Sequence, residues 1–90
     1  MIKEQRITVS STAIQLNYAD DAYPGSRIFI RNSDSTNGIC LGGSDVTAAN
    51  GYYVGPGVEK ELALGVDNDM LYGIRAGAVD VVVHVLQTGV

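Results

Sequence analysis

Apolar and polar residues alternate along most of this chain with a period of two. The segments 6–10 and 59–64 place apolar side chains mainly on one side and polar or small side chains on the other, and in 27–31 Ile28 and Ile30 alternate with Arg27, Phe29 and Arg31. This period is typical of β-strands with one buried face, whereas an amphipathic helix repeats its apolar positions every three or four residues. No window of the chain has helical spacing over three turns, so the pattern predicts an all-β protein.

Turn-forming residues divide the alternating segments into about eight short strands. Eleven glycines supply many of the breaks. Turns are predicted at 23–26, at 67–69 and at 32–38, where the closing Asn37-Gly38 pair is a strong hairpin signal. Strands are predicted at residues 6–10, 14–18, 27–31, 39–41, 52–54, 59–64, 71–75 and 79–87. This spacing favours a small β-sandwich or jelly-roll-like barrel of short antiparallel strands.

The last predicted strand is apolar on both faces. Residues 79, 81, 83 and 85 are all valine, and the opposite side carries Val82 and Leu86 together with Asp80 and His84. A strand with one solvated face should alternate more cleanly. Two interpretations remain: a neighbouring subunit or partner covers the second face, or the chain's own loops do.

Length and charge limit the classes of function. Ninety residues correspond to one domain, 1–90, with residues 1–5 as a candidate N-terminal arm. Six basic and 10 acidic residues give a net charge of −4, and the basic residues are scattered, so nucleic acid is an unexpected partner. No signal peptide or membrane-length apolar segment is visible. We expect a soluble protein that is made in a host cytoplasm. Its thin core would be supplemented by oligomerisation or by docking onto a larger surface.

The residues that could carry chemistry favour structural roles. His84 lies among valines without a nucleophile elbow, and Cys40 has no cationic neighbour in sequence that would activate it. Asp67 and Asp69 have the spacing of calcium ligands, but Met70 and the residues after it break the loop pattern. We therefore expect no enzyme activity, no metal site and no cofactor.

Exposed aromatic residues beside arginines favour a binding surface. Phe29 is predicted to project away from Ile28 and Ile30, between Arg27 and Arg31, and aromatic and arginine side chains are enriched at interfaces. The adjacent Tyr52 and Tyr53 must point to opposite faces. The candidate interface residues are Arg27, Phe29, Arg31, Tyr52, Tyr53, Val82, His84 and Leu86.

Several strings along the chain resemble those of small virion proteins of tailed bacteriophages, especially phages of actinobacterial hosts. The strings are ITVSSTA at 7–13 with Leu16 behind it, IRN at 30–32, ICLGGSDVT at 39–47, GYYVGPG at 51–57 and VVVHVL at 81–86. The resemblance covers nearly the whole chain and consists of strand and turn strings. It implies a β-sandwich protein that sits in the tail or decorates the outside of the capsid.

The leading hypothesis is a capsid decoration (cement) protein located on the virion surface. The resemblance implies that the major capsid protein is its partner and that copies cluster as homotrimers at symmetry axes. A second hypothesis is a receptor- or carbohydrate-binding module of a tail or fibre, which would use exposed aromatics such as Tyr23, Tyr52, Tyr53 and Phe29. A hydrolase using His84 is the third and weakest hypothesis.

Overall fold

A computed structural model of the chain describes residues 2–18, 26–64 and 70–88. Over these residues the protein consists of eight β-strands and no helix. The strands are β1 (Ile2–Val9), β2 (Ile14–Gln15), β3 (Ser26–Asn32), β4 (Ile39–Gly42), β5 (Tyr52–Val54), β6 (Glu59–Leu64), β7 (Tyr72–Arg75) and β8 (Val81–Thr88). The predicted all-β class is confirmed, and each of the eight predicted strands has a counterpart, although β2 covers only two residues of the predicted 14–18.

The strands form two antiparallel sheets of four. One sheet has the order β1-β8-β3-β6 and the other has the order β2-β7-β4-β5. Strand pairs β1·β8, β2·β7, β3·β6 and β4·β5 are what results when one long hairpin is rolled up, and this is the jelly-roll topology. The two sheets form an open sandwich and, across the described residues, do not close into a barrel.

The core consists of the inward-facing aliphatic side chains of both sheets. Val81, Val83 and Val85 alternate along β8 as fully or almost fully buried residues, and Ile28 and Ile30 do the same on β3. The rest of the apolar cluster is contributed by Ile7, Val9, Leu16, Ile39, Leu41 and Val54, with Leu62 and Leu71 packed against it. The period-two pattern therefore identified the buried face correctly.

The side-chain amides of three buried residues form hydrogen bonds that join strands and neighbouring loops. Gln87 accepts a hydrogen bond from the backbone N–H of Tyr18 at 2.8 Å and donates one to the carbonyl oxygen of Tyr18 at 2.9 Å. Asn17 accepts a bond from the N–H of Leu71 at 2.9 Å. Asn32 donates to the carbonyl oxygen of Asn37 at 2.8 Å. Because buried polar groups are costly when unpaired, these contacts specify the paths of the loops as well as stabilising them.

The segment 33–38 connects the two sheets and is not a hairpin. β3 pairs with β6 and β8, whereas β4 pairs with β5 and β7, so the hairpin predicted from Asn37-Gly38 is wrong. Asp34 holds the crossing loop, because its carboxylate accepts hydrogen bonds from the backbone N–H groups of Thr36 and Asn37. These bonds lower the pKa of Asp34.

The ends of the first and last strands differ from their predicted positions. Of the candidate arm 1–5, residues 2–5 form the first half of β1, with Ile2 paired to Thr88, and Met1 lies outside the described residues. β8 begins at Val81, and Val79 lies exposed in the preceding turn. An ion pair between Arg75 and Asp80, 2.6 Å apart, spans that turn. Of the predicted turn at 23–26, residues 23–25 lie outside the described residues and Ser26 begins β3, and the predicted turn at 67–69 lies entirely outside them.

Candidate functional site

The solvent-facing side of the β1-β8-β3-β6 sheet, called here the outer face, gathers most of the predicted interface residues. On β8 it carries Val82, His84 and Leu86, because Val81, Val83 and Val85 point into the core. Val82 is 43% exposed and Leu86 is 39% exposed. An apolar side chain on a sheet face is normally covered, so these two residues mark a surface without a covering layer among the described residues.

Strand pairing places the side chains of the outer face in rows that run across the sheet. The arginine row contains Arg6 of β1, His84 of β8, Arg31 of β3 and Glu59 of β6. The phenylalanine row lies next to it and contains Glu4, Leu86, Phe29 and Glu61 in the same strand order. Directly paired residues on one face have Cβ atoms about 5 Å apart, so each row is a set of touching neighbours.

The charges of the outer face are balanced but unevenly paired. Arg27 and Glu61 form an exposed ion pair of 2.7 Å. Within the described part of the chain, neither Arg6 nor Arg31 lies within ion-pair distance of a carboxylate. Two guanidinium groups therefore flank His84 while keeping their hydrogen-bond donors available to another molecule.

All members of the two rows except Glu61 line a concavity of about 630 Å³. Arg6, Arg31 and His84 contribute its basic side chains, Glu4 and Glu59 its carboxylates, and Phe29 and Leu86 its large apolar side chains. Aromatic and arginine side chains around a small apolar centre are the composition of a protein-binding surface. The concavity is open and broad, which suits a protein surface better than a small molecule.

Tyr52 and Tyr53 lie on the other sheet and do not belong to the outer face. Tyr52 pairs with Leu41 on the inward side of β5, at the open edge of the sandwich, and the ammonium of Lys60 lies 4.9 Å from the centre of its ring. Tyr53 pairs with Cys40 on the opposite side of that sheet, and its ring lies across Gly38. Both rings are more than half exposed, but they face different directions and do not form one stacking platform. Tyr23 lies outside the described residues.

The histidine and the cysteine lie on different sheets. His84 belongs to the outer face, whereas Cys40 lies on β4, buried beneath the segment 43–51 with its Sγ 3.7 Å from the carbonyl oxygen of Ala48. Burial raises the pKa of the Cys40 thiol, which disfavours the nucleophilic thiolate. Among the described residues, no three His, Cys, Asp or Glu side chains are grouped so that they could hold a metal ion.

The covering of Cys40 can be tested by its reactivity. We expect Cys40 in the folded protein to react with a thiol reagent on the order of a hundredfold or more slowly than in the urea-unfolded chain, because labelling requires segment 43–51 to open. Gly51→Ala should accelerate the reaction, since the new Cβ would lie 2.5 Å from the Cβ of Cys40 and 3.0 Å from the carbonyl oxygen of Thr47. The measurement is the labelling rate of both proteins under native conditions.

Gly77→Ala is the matched control, because a Cβ at Gly77 would meet no atom within 4 Å. It should label at the rate of the unaltered protein. Equal rates for Gly51→Ala and Gly77→Ala would contradict the close packing of segment 43–51 on Cys40.

Strand pairing adds residues that the sequence alone does not assign to the site. Arg6 and Glu4 join the outer face because β1 pairs with β8 along its whole length, and Glu59 and Glu61 join it from β6. The alternation of residues 6–10 predicts that Arg6 faces solvent, but this pattern does not indicate which strand pairs with β1.

No family model and no curated protein sequence matches this chain. No helix in the described residues is both long enough and apolar enough to cross a membrane.

Proposed function

We propose that this protein is a structural component of a tailed-phage virion that binds the outer surface of the capsid as an oligomer and stabilises the shell. The observation that carries the proposal is the outer face, which the described residues leave without a covering layer and on which Phe29, Val82 and Leu86 lie among charged side chains of paired strands. A sandwich has only two layers, and an apolar surface that the described residues leave exposed is a candidate for contact with another protein chain.

The physical mechanism is linkage between binding and assembly. A protein that binds only the assembled shell lowers the free energy of that state, because each bound copy must dissociate before the shell subunits separate. The sandwich suits this role because its outer face is built on paired strands, which hold the contact residues in fixed positions. A capsid is proposed as the partner because several sequence strings resemble those of phage virion proteins.

The test is binding to shells from which the protein has been removed. Purified protein should cosediment saturably with stripped capsids and reach a copy number comparable to that of the major capsid protein. It should also raise the temperature at which the shells disassemble. Leu86→Asp should weaken either the binding or the oligomerisation that supports it, whereas Asp45→Arg, in the loop over the other sheet, should leave both unchanged.

A copy number of only a few per particle would contradict a capsid-decorating role and indicate a tail or portal component. Absence of any binding to stripped shells, by protein that is folded and saturating, would contradict the proposal as a whole.

A further inference from the structure

We propose that a second copy of this chain docks on the outer face, related to the first by a two-fold axis that crosses the strands between the arginine row and the phenylalanine row. This inference rests on the proposed oligomeric state and assigns the outer face to the contact between copies. It adds the symmetry of the contact and the residues that pair in it.

The two-fold operation brings each row of one copy against the other row of its partner. Arg6 then faces Glu4 of the partner subunit, and the second Arg6–Glu4 contact follows by symmetry. Such self-complementarity is the property that an isologous interface requires, because the same patch must serve as both halves.

The centre of the face is complementary under the same operation. Arg31 faces Phe29 of the partner subunit, which allows the guanidinium to stack on an aromatic ring. His84 faces Leu86 of the partner subunit. One like-charged contact remains, between Glu59 and the partner's Glu61, and the ion pair of Arg27 with Glu61 already offsets it.

An axis parallel to the strands gives a poorer match. It would place Phe29 against Leu86 of the partner subunit and Arg6 against the partner's Glu59, which are favourable contacts. It would also bring Arg31 against His84 of the partner subunit and Glu4 against the partner's Glu61. Each axis therefore leaves one like-charged pair per copy, and the crossing axis is favoured because it gives both Arg6 and Arg31 a favourable partner, a carboxylate and an aromatic ring.

The size of the face fits a modest interface. Four strands spaced about 4.8 Å apart and about seven residues long give a footprint of roughly 19 by 24 Å. This projection of roughly 460 Å² is smaller than the ~800 Å² per partner of a standard interface. Because much of the face is polar, we expect a dimer whose population depends on protein concentration.

Charge reversal at Glu4 and Arg6 tests the pairing directly. In Glu4→Arg, each Arg6 would face a new arginine, and in Arg6→Glu, each Glu4 would face a new glutamate. Each variant alone should dimerise about tenfold or more weakly than the unaltered protein, because like charges meet twice. An equimolar mixture should dimerise again, since every arginine of one variant then faces a glutamate of the other. The measurement is sedimentation velocity over a concentration series.

Both positions are exposed on the first strand, and circular dichroism with thermal melts should show folded variants of similar stability. Asp45→Arg changes the net charge as Glu4→Arg does but lies on a loop remote from the outer face, so it should dimerise like the unaltered protein. Its agreement with the unaltered protein would separate a local effect from the overall charge of −4.

Several results would overturn the inference. A protein that stays monomeric at all concentrations would show that this dimer does not form. Charge-reversed variants that associate as strongly as the unaltered protein would show that Arg6 and Glu4 do not pair across the interface. Stronger association of Glu4→Arg alone would indicate the axis parallel to the strands. Single variants that stay monomeric even when mixed would indicate a different arrangement, such as the three-fold cluster implied by the phage resemblance.

Failure of this inference can be told apart from failure of the proposed function. Dimerisation that follows the charge pattern, without binding to stripped capsids, would remove the function and keep the interface. Capsid binding by a protein that does not dimerise would remove the proposed interface and keep the proposed function.

Discussion

Val83→Asp is expected to unfold the domain, whereas Val82→Asp leaves it folded. Val83 is fully buried in the core, and a carboxylate there would have no partner to offset its loss of hydration. The cost is on the order of 4 kcal/mol or more, which approaches the whole stability of a small domain. Val82 is 43% exposed on the outer face, so the same carboxylate remains in water.

Circular dichroism and urea denaturation of the two variants measure this difference. Val82→Asp should retain the β spectrum and a midpoint close to that of the unaltered protein, and it should also weaken self-association. Because the two residues are adjacent on β8, the pair isolates the direction of the side chain from the position in the chain. A folded Val83→Asp or an unfolded Val82→Asp would show that the assignment of the two faces is wrong.

Gln87→Leu is expected to lower the free energy of unfolding by about 2–4 kcal/mol, although leucine has a larger apolar surface than glutamine. The amide of Gln87 is buried and forms hydrogen bonds with both the N–H and the carbonyl oxygen of Tyr18. Leucine removes both bonds and leaves two partly buried backbone groups without their partners. The free energy of unfolding, from urea titration monitored by circular dichroism, measures the effect.

Gln15→Leu is the matched comparison. Gln15 is half-buried and makes one side-chain bond, to the carbonyl oxygen of Asn17 at 3.0 Å. Its replacement should cost about 1 kcal/mol or less, because water can take the place of the lost donor. Similar losses for both variants would mean that the Gln87 amide has no special role in joining β8 to the segment before β3.

The fold class and the sidedness of the strands could be predicted from sequence because both depend on local alternation. Val81, Val83 and Val85 were assigned to one face and Val82 and Leu86 to the other, and burial confirms this division. The order of the strands could not be predicted, since alternation describes one strand at a time. The wrong hairpin at Asn37-Gly38 has the same origin: its turn residues describe a reversal of the chain but not the sheet in which the next strand lies.

The candidate site was predicted only in part for the same reason. Phe29 and Leu86 lie side by side because β3 pairs with β8, and no sequence signal links two positions so far apart. Tyr52 was grouped with them on chemical type alone and lies on the other sheet. Buried amides such as Asn32 follow the inward period of their strand, and that was the one signal that could have identified them.

The position of β8 between β1 and β3 also affects how the protein folds during synthesis. β1 and β3 are synthesised before β8, the strand that joins them into one sheet, so the β1-β8-β3-β6 sheet cannot form until β8 has left the ribosome. Most of its stabilising contacts join residues that are far apart in sequence, and such a topology folds in about milliseconds to seconds rather than microseconds. During that interval the apolar sides of β1 and β3 are exposed, and the nascent chain is most vulnerable to aggregation just before the valines of β8 are synthesised.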